Sequence, residues 1–374
     1  MSEPISDLYA VIPAGGAGTR LWPMSRRSHP KFLLDVLGSG RTLIQGTWDR
    51  LVGLTGPDQI LVVTGRNHEV AVAEQLGGLA AGNLVCEPSP RDSMAAIGLA
   101  AALLEHRHGP VLMASFAADH VVPDPDLFAD AVRSAAAAAR AGYVATIGIT
   151  PTHPSTAFGY IRSGLALGEE HQVAGGPVAH VAAEFVEKPD EETATAYLAA
   201  GGFAWHAGMF VVRTDVLLGH LARLQPPLEA GLRAIAQAWD TPERDAIASE
   251  VWPGLTKIAI DHAIAEPVAA TGGVAVVPGS FRWDDVGDWD SLAQLLRADE
   301  GGVRSVGGPA DVVTIDAPGL TVSGDDHRVL AVVGLSDVVV VRTPDAILVT
   351  DRDHAQQVKA VVDELAARGR TELL

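Results

Sequence analysis

Short apolar runs alternate with longer amphipathic stretches over the first 150 residues. Buried strands are predicted at Leu8–Ile12, Ile60–Thr64, Leu84–Cys86, Val111–Phe116 and Val144–Ile149. Between them, apolar residues recur at helical spacing over 42–53, 67–77, 93–107 and 126–141. This alternation is typical of a mostly parallel sheet covered by helices on both faces. The pattern therefore predicts an α/β, Rossmann-like domain whose ligands collect beyond the carboxyl ends of the strands.

The pattern changes after Leu296, where short β-rich runs replace the alternation. These runs are Val312–Ile315, Leu320–Val322, Val329–Val333, Val338–Val341 and Ile347–Val349, and a closing helix is predicted from Asp351 to Arg368. We therefore expect a large α/β domain over residues 1–297 and a small β-rich domain over residues 298–374. Because exposed Val-rich strand edges need covering, we also expect a homodimer formed through this tail.

Composition and charge narrow the possible partners. The 374 residues include 27 basic and 46 acidic ones, so the formal net charge is 27 − 46 = −19. This balance argues against nucleic acid or an acidic membrane surface as a partner, since both require a basic face. The first residues lack a basic, apolar leader, and no apolar run approaches the length of a membrane helix. The expected location is cytoplasmic.

The most informative stretch directly follows the first predicted strand. Its small, flexible or cationic members are Ala14, Gly15, Gly16, Gly18, Thr19, Arg20 and Lys31. Successive N–H groups of a glycine-rich loop form a concavity that binds anions, and the two cations add positive charge. The spacing fits neither a P-loop nor a dinucleotide fingerprint. It predicts a phosphate site, with an ordinary strand-to-helix turn as the alternative.

Four further stretches of the sequence place polar residues at predicted strand ends or turns. The segment 87–93 could be only a capped helix start, and Asp119 only a turn residue after a strand. Glu187-Lys188 could be a solvated strand end, and Asp285 part of an acidic turn. Each stretch therefore has an ordinary structural interpretation when it is taken alone.

Taken together, the motifs resemble those of a known family. The run Ala-Gly-Gly-x-Gly-Thr-Arg-Leu-x-Pro, followed by Pro-Lys, resembles the signature of sugar-1-phosphate nucleotidylyltransferases. The Leu21-Trp22-Pro23 variant is most similar to the mannose-1-phosphate guanylyltransferase branch. The resemblance covers nearly the whole chain through five ordered motifs. It implies a GT-A-like nucleotidyltransferase domain and a β-helix-like tail.

The resemblance also implies roles on the nucleotide side. The loop from Ala14 to Thr19 would bind the nucleotide, while Arg20 and Lys31 would act on its phosphates as catalytic cations. Four residues of the segment that follows the third predicted strand are implied base-side contacts, namely Glu87, Arg91, Asp92 and Ser93. Mg²⁺, or another divalent cation, would be held by Asp119 and Asp285.

On the sugar side, the resemblance implies contacts from three motifs. Gly159 and Glu187 would face the sugar hydroxyls, and Lys188 would bind the sugar phosphate as a third catalytic residue. His206 stands where the family carries an Asn that bonds sugar hydroxyls, so this chain departs from the pattern there. An imidazole cannot reproduce the paired donor and acceptor of an amide. Asp261 is interpreted as a structural residue or one that supports the site from behind.

The implied reaction joins GTP and α-D-mannose 1-phosphate to give GDP-mannose and pyrophosphate. Two alternatives stay open. One is a nucleotidylyltransferase for another sugar or base, and the other is a non-catalytic regulatory subunit that binds nucleotide sugars. His206 is the one residue that favours the regulatory subunit, whereas Arg20, Lys31, Asp119, Lys188 and Asp285 speak against it.

Overall fold

The structure, a computed structural model, describes residues 4–16, 18–307, 311–324 and 328–374. They divide into two compact units, and neither unit is one continuous segment of chain. The first unit comprises residues up to 15 together with 48–117 and 122–283. The second comprises 16–47, 118–121 and 284–374.

A mixed sheet of nine strands forms the centre of the first unit, as far as the described residues show. Its strands in chain order are β1 (Leu8–Ala14), β2 (Ile60–Gly65), β3 (Leu84–Glu87), β4 (Leu112–Ser115), β5 (Val144–Ile149), β6 (Tyr160–Ala166), β7 (His180–Val186), β8 (Phe203–Arg213) and β9 (Val274–Gly279). Across the sheet they follow the order β3-β2-β1-β4-β8-β5-β9-β7-β6. The pairings show that β7 and β8 run against the direction that the other strands share. The expectation of a mostly parallel sheet is therefore confirmed for strand direction.

Helices cover this sheet in the first unit, and others belong to the second unit. They are α1 (Leu43–Thr55), α2 (Glu69–Gln75), α3 (Asp92–His108), α4 (Pro125–Arg140), α5 (Glu191–Ala200), α6 (Thr214–Leu224), α7 (Pro226–Ala238), α8 (Arg244–Val251), α9 (Glu266–Ala269), α10 (Trp289–Leu295) and α11 (Val358–Ala367). The apolar segment of α3 from Met94 to Leu104 is buried in the main core. Pro226 begins α7, because a proline is accepted in the first turn of a helix but not in its interior.

The second unit contains the β-rich tail. Its strands are β10 (Arg304–Val306), β11 (Val312–Ile315), β12 (Thr321–Ser323), β13 (Leu330–Val333), β14 (Val338–Arg342) and β15 (Ile347–Asp351). The strands β10, β12 and β14 pair in parallel, β15 joins β14 in antiparallel fashion, and β11 pairs in parallel with β13. Parallel rungs of short strands agree with the β-helix-like tail expected from the sequence.

The strands and helices predicted for the first 150 residues are confirmed, with bounds that differ by at most two residues. The closing helix is shorter than predicted, because Asp351 still belongs to β15 and the α-helix begins only at Val358. The Asp351 carboxylate accepts a hydrogen bond from the His354 N–H at 2.9 Å, which fixes a turn before the helix. Among the described residues, no helix combines the length and apolar character that crossing a bilayer would require.

Candidate active site

The glycine loop leaves the end of β1 and is open to solvent at Gly15 and Gly16. Gly16 and Gly18 have φ of +89° and +60°, a region that other residues adopt only at a cost. Thr19 begins a short 3₁₀ turn that places Arg20 on the surface. Within the described part of the chain, no hydrogen bond or ion pair joins the Arg20 guanidinium to another residue.

Lys31 is held in the second unit by three oxygen atoms. Its Nζ lies 3.0 Å from Asp119 Oδ2, and it donates to the backbone carbonyls of Asp285 at 2.7 Å and Val286 at 3.2 Å. The Lys31 side chain is 13% exposed and that of Asp119 is 19% exposed, so both charges are largely removed from water. Gly18 packs on the lysine stem, because a Cβ atom at position 18 would lie 2.8 Å from Lys31 Cγ.

The two predicted metal ligands lie in the same group. Burial alone would raise the pKa of Asp119, but the charges of Lys31 and His120 keep it below its usual value. Burial raises the pKa of Asp285, and the Asp119 charge adds to this effect while Lys31 opposes it. Asp285 is therefore a buried carboxylate whose negative charge its neighbours do not fully balance.

This donor set fits a divalent cation. Mg²⁺ prefers a small number of carboxylate oxygens and completes its shell with water and phosphate oxygens. Asp119 and Asp285 supply two such carboxylates, and a cation beside Asp285 would oppose the burial that raises its pKa. No group of three or more His, Cys, Asp or Glu ligands occurs in the described ranges.

The turn that presents Asp285 is strained. Val286, a β-branched residue, has φ of +49°, and its side chain is fully buried. Its N–H donates to Asp284 Oδ1 at 2.7 Å, which stabilises this conformation. Residues held in such conformations are concentrated at functional sites. The contribution of Asp284 was not predicted from the sequence, which treated it only as part of an acidic turn.

In the first unit, the predicted sugar-side residues meet. The His206 N–H, on β8, donates to the Gly159 carbonyl at 2.8 Å, just before β6. A Cβ atom at Gly159 would lie 2.6 Å from Glu187 Oε2 and 3.3 Å from His206 Cβ, so a larger residue there would have to displace the Glu187 carboxylate. Lys188, at φ +47°, places its Nζ 2.5 Å from Glu187 Oε1, and its side chain is 61% exposed.

His206 differs from its neighbours because its imidazole is buried among protein groups. Its Nδ1 lies 2.9 Å from Thr146 Oγ1, and its Nε2 lies 3.2 Å from Asp261 Oδ1. Asp261 begins a short π-helical turn, Asp261–Ala265, and its side chain reaches this ring. The sequence suggested a supporting role for Asp261, but it offered no sign that Thr146 would take part.

The predicted base-side residues also lie in the first unit, at the end of β3 and the start of α3. Glu87 is 8% exposed, its Oε2 atom has no hydrogen-bond partner among the described residues, and burial raises its pKa to about 7. Arg91 donates to the carbonyls of Pro253 and Leu255 at 2.6 and 3.3 Å. Asp92 has φ of +66°, and Ser93 Oγ accepts the Ile260 N–H at 2.9 Å.

The fold and these side chains define a class of protein. The chain belongs to the nucleotidyl transferase family: the family model described as "Nucleotidyl transferase" matches residues 9–301. A second model, "MannoseP isomerase/GMP-like beta-helix domain", matches residues 310–365. The glycine loop, Lys31, Asp119 and Asp285 all lie within the first match.

Individual proteins and one crystal structure show which members of that family this chain is similar to. A mannose-1-phosphate guanylyltransferase of Escherichia coli is 38% identical over 378 residues, covering 98% of this chain and 75% of its own length. The xanthan biosynthesis protein XanB of Xanthomonas campestris is 37% identical over 374 residues, with the same coverage of both chains. A crystal structure named mannose-1-phosphate geranyltransferase from Thermus thermophilus superposes with a TM-score of 0.83 at 32% identity. That superposition covers 96% of this chain and 99% of the other.

Proposed function

We propose that this protein transfers GMP from GTP to α-D-mannose 1-phosphate, forming GDP-mannose and pyrophosphate. The proposal is carried by the buried contact of Lys31 with Asp119 and with the Asp285 carbonyl, an arrangement that suits a triphosphate and a cation. The choice of sugar and base is supported by the relatives that bear the name mannose-1-phosphate guanylyltransferase.

The reaction requires no nucleophile from the protein. The phosphate oxygen of the sugar phosphate attacks the α-phosphorus in line, and pyrophosphate leaves. Catalysis then consists of orienting the two substrates and neutralising the charge that develops on the phosphate oxygens. Positive charge fixed in a partly buried site is effective here, because it needs no reorganisation at the moment of reaction.

On the nucleotide side, each residue has a specific task. The amides of the loop at Gly15, Gly16 and Gly18 bind phosphate oxygens, and Arg20 stabilises the departing pyrophosphate. Lys31 neutralises the triphosphate. Asp119 and Asp285 would hold the divalent cation, which when bound withdraws negative charge from the phosphates.

On the sugar side, the two halves of mannose 1-phosphate meet different groups. The Glu187 carboxylate accepts hydrogen bonds from sugar hydroxyls, and Gly159 allows the ring to come close to the backbone. The exposed Lys188 ammonium binds the phosphate as a point charge. Glu87, Arg91, Asp92 and Ser93 form the base side, where Glu87 offers the N–H donors of a base an oxygen that has no partner among the described residues.

A pyrophosphate-release assay tests the proposal. The purified protein and Mg²⁺ are combined with GTP, ATP, UTP or dTTP, each with mannose 1-phosphate or glucose 1-phosphate. We expect GTP with mannose 1-phosphate to give the highest kcat/KM. A clear preference for another nucleotide would support the alternative of a different sugar or base. Binding of GDP-mannose without any pyrophosphate release would support the regulatory subunit instead.

We also propose that the protein is a cytoplasmic homodimer whose subunits meet through the tail, because the tail exposes apolar side chains. Exposed apolar residues of β11, β13 and β15 include Val313, Ile315, Val333, Ile347 and Val349. Such edges and faces favour a second copy of the chain as the partner. Size-exclusion chromatography with light scattering at micromolar concentration should give the dimer mass, and a monomer mass would contradict the proposal.

A further inference from the structure

The chain turns sharply where β7 ends, and the residue proposed to meet the sugar hydroxyls lies in that turn. The antiparallel ladder between β6 and β7 has its last pair at Tyr160 and Val186, so Glu187 lies one residue beyond it. Lys188 then has φ of +47°, and it is followed by Pro189, which has no N–H to donate. The ladder therefore ends before Glu187 and does not fix its backbone.

The Glu187 carboxylate lies close against the backbone of Gly159. Its side chain is 10% exposed, and a Cβ atom at Gly159 would lie 2.6 Å from its Oε2 atom. The Gly159 side of this contact is itself held in place, because the Gly159 carbonyl accepts the His206 N–H at 2.8 Å. A shift of the Glu187 backbone would therefore move the carboxylate against Gly159 or away from it.

A side chain from another part of the first unit binds the backbone of this turn. The Glu187 N–H donates to Glu266 Oε1 at 3.3 Å. Glu266 begins α9, directly after the π-helical turn Asp261–Ala265, and its side chain is 34% exposed. A carboxylate is a stronger acceptor than a neutral oxygen. This hydrogen bond therefore gives the turn a fixed point that the ladder does not supply.

The other oxygen of Glu266 is held by a histidine four residues earlier. His262 Nδ1 lies 2.8 Å from Glu266 Oε2, and because an ionised carboxylate only accepts, the ring nitrogen is the donor. This hydrogen bond raises the pKa of His262, while burial opposes the increase. The Glu266 carboxylate thus bridges the His262 ring and the Glu187 backbone, with one oxygen on each.

This bridge acts on the sugar side of the proposed site. We propose that Glu266 is a positioning residue, which holds the Glu187 backbone so that the Glu187 carboxylate meets the sugar hydroxyls of the incoming sugar phosphate. The inference rests on the proposed role of Glu187. Because Glu266 acts only through Glu187, its loss should weaken the binding of the sugar phosphate and leave the binding of the nucleotide unchanged.

The test compares KM and kcat for mannose 1-phosphate in two variants of Glu266. Glu266→Ala removes both hydrogen bonds and should raise this KM about tenfold, with a smaller effect on kcat and with the KM for GTP within about twofold of the wild-type value. Glu266→Gln can keep both contacts, because its amide oxygen accepts the Glu187 N–H and its amide N–H donates to an unprotonated His262 Nδ1. Its KM should stay within about threefold of the wild-type value.

Glu364→Ala is the matched control. Glu364, in α11, also accepts a hydrogen bond from a residue four positions away, because Arg368 Nε lies 2.7 Å from its Oε1 atom. Its loss should leave the KM for mannose 1-phosphate unchanged. If Glu266→Ala does not fold, Glu266→Asp replaces it, because a side chain one methylene shorter cannot span both contacts. A wild-type KM in the shortened variant, or a KM of Glu266→Gln as high as that variant's, would overturn the inference.

Hydrogen exchange of the Glu187 amide tests the contact without turnover. In ligand-free protein labelled with ¹⁵N-glutamate, this amide is identified by the loss of its signal in Glu187→Gln. It should exchange about tenfold faster in Glu266→Ala than in the wild type, and at nearly the wild-type rate in Glu266→Gln. An unchanged exchange rate in Glu266→Ala would overturn the inference, whatever the activity.

The two measurements together keep this inference separate from the proposed function. Faster exchange in Glu266→Ala without any rise in KM would overturn the inference, because the contact would then not position the carboxylate for the substrate. Faster exchange in a protein whose wild type releases no pyrophosphate would reject the proposed function, and with it the role at the sugar, while leaving the hydrogen bond from Glu187 to Glu266 intact.

Discussion

Glu87→Gln should make the protein more stable at alkaline pH. Glu87 ends β3, is almost completely buried, and has a carboxylate oxygen without a partner among the described residues. Ionising such a group without a hydrogen bond or an opposite charge costs free energy. Glutamine has nearly the same shape and stays neutral, so the substitution removes the ionisation and little else.

The size of the effect follows from the pKa. Burial raises the pKa of Glu87 from 4.5 to about 7, which corresponds to about 3 kcal/mol of free energy of unfolding. The pKa of Glu87 is higher in the folded protein than in the unfolded chain. Its contribution to the free energy of unfolding is therefore fully present below about pH 4.5. It is lost as pH rises through about 7. The free energy of unfolding of Glu87→Gln should therefore exceed that of the wild type by the largest amount above neutral pH.

Urea denaturation of ligand-free protein at about pH 5 and about pH 8.5 measures this difference. The stability of Glu87→Gln minus that of the wild type should grow by about 2–3 kcal/mol between the two values. Comparing differences cancels the titration of groups that both proteins share. Glu74→Gln, at an exposed position of α2, is the control and should show no such growth. An equal difference at both pH values would refute the argument that burial raises the pKa of Glu87.

Three further predictions concern the nucleotide side. Asp285→Asn should lower pyrophosphate release by orders of magnitude with little change in melting temperature, and near-normal turnover would remove Asp285 from the proposed metal site. Gly18→Ala should lower turnover and cost about 1–2 kcal/mol by chemical denaturation, because φ is +60° and the new methyl group would meet Lys31. Gly53→Ala in α1, where a Cβ meets nothing within 4 Å, should not impair either property. Chelation of divalent cations should abolish turnover and added Mg²⁺ should restore it; full activity after chelation would contradict the cation proposal.

The regular elements of the fold could be predicted because their signals are local. Apolar runs bounded by glycine or proline locate β1 to β5, and the proline pair at 226–227 marks the break between α6 and α7. The strand order could not be predicted this way, since β8 inserts between β4 and β5 through pairings with residues about 100 and 60 positions away. The noncontiguous second unit has the same origin, because its segments are joined by packing rather than by sequence order.

The sequence predicts a residue of the site only where the chemistry of its own side chain points to a role. Lys31, Asp119 and Asp285 were candidates because they carry charge next to predicted strands or turns, and the structure brings them together. Thr146 could not be found, because a threonine inside an apolar strand is an ordinary β-former and only the fold brings its hydroxyl within 2.9 Å of His206 Nδ1. Likewise, the unusual backbone at Asp92, Lys188 and Val286 has no sequence signature, since none of these residues is a glycine.

The second unit explains how the backbone that carries Arg20 and Lys31 is held in place although this chain segment has little regular structure. Trp22, two residues after Arg20, donates from its indole to the Leu373 carbonyl at 2.8 Å, and its own carbonyl accepts from Trp289 at 3.1 Å. Its side chain packs in a core that also contains Val339, Val341, Val358 and Leu374 of the tail. Electrostatic catalysis depends on charges that are already in place when the reaction occurs. The β-rich tail is therefore part of the structure that orients the proposed catalytic cations, through the same core that holds the turn of Asp285 and Val286.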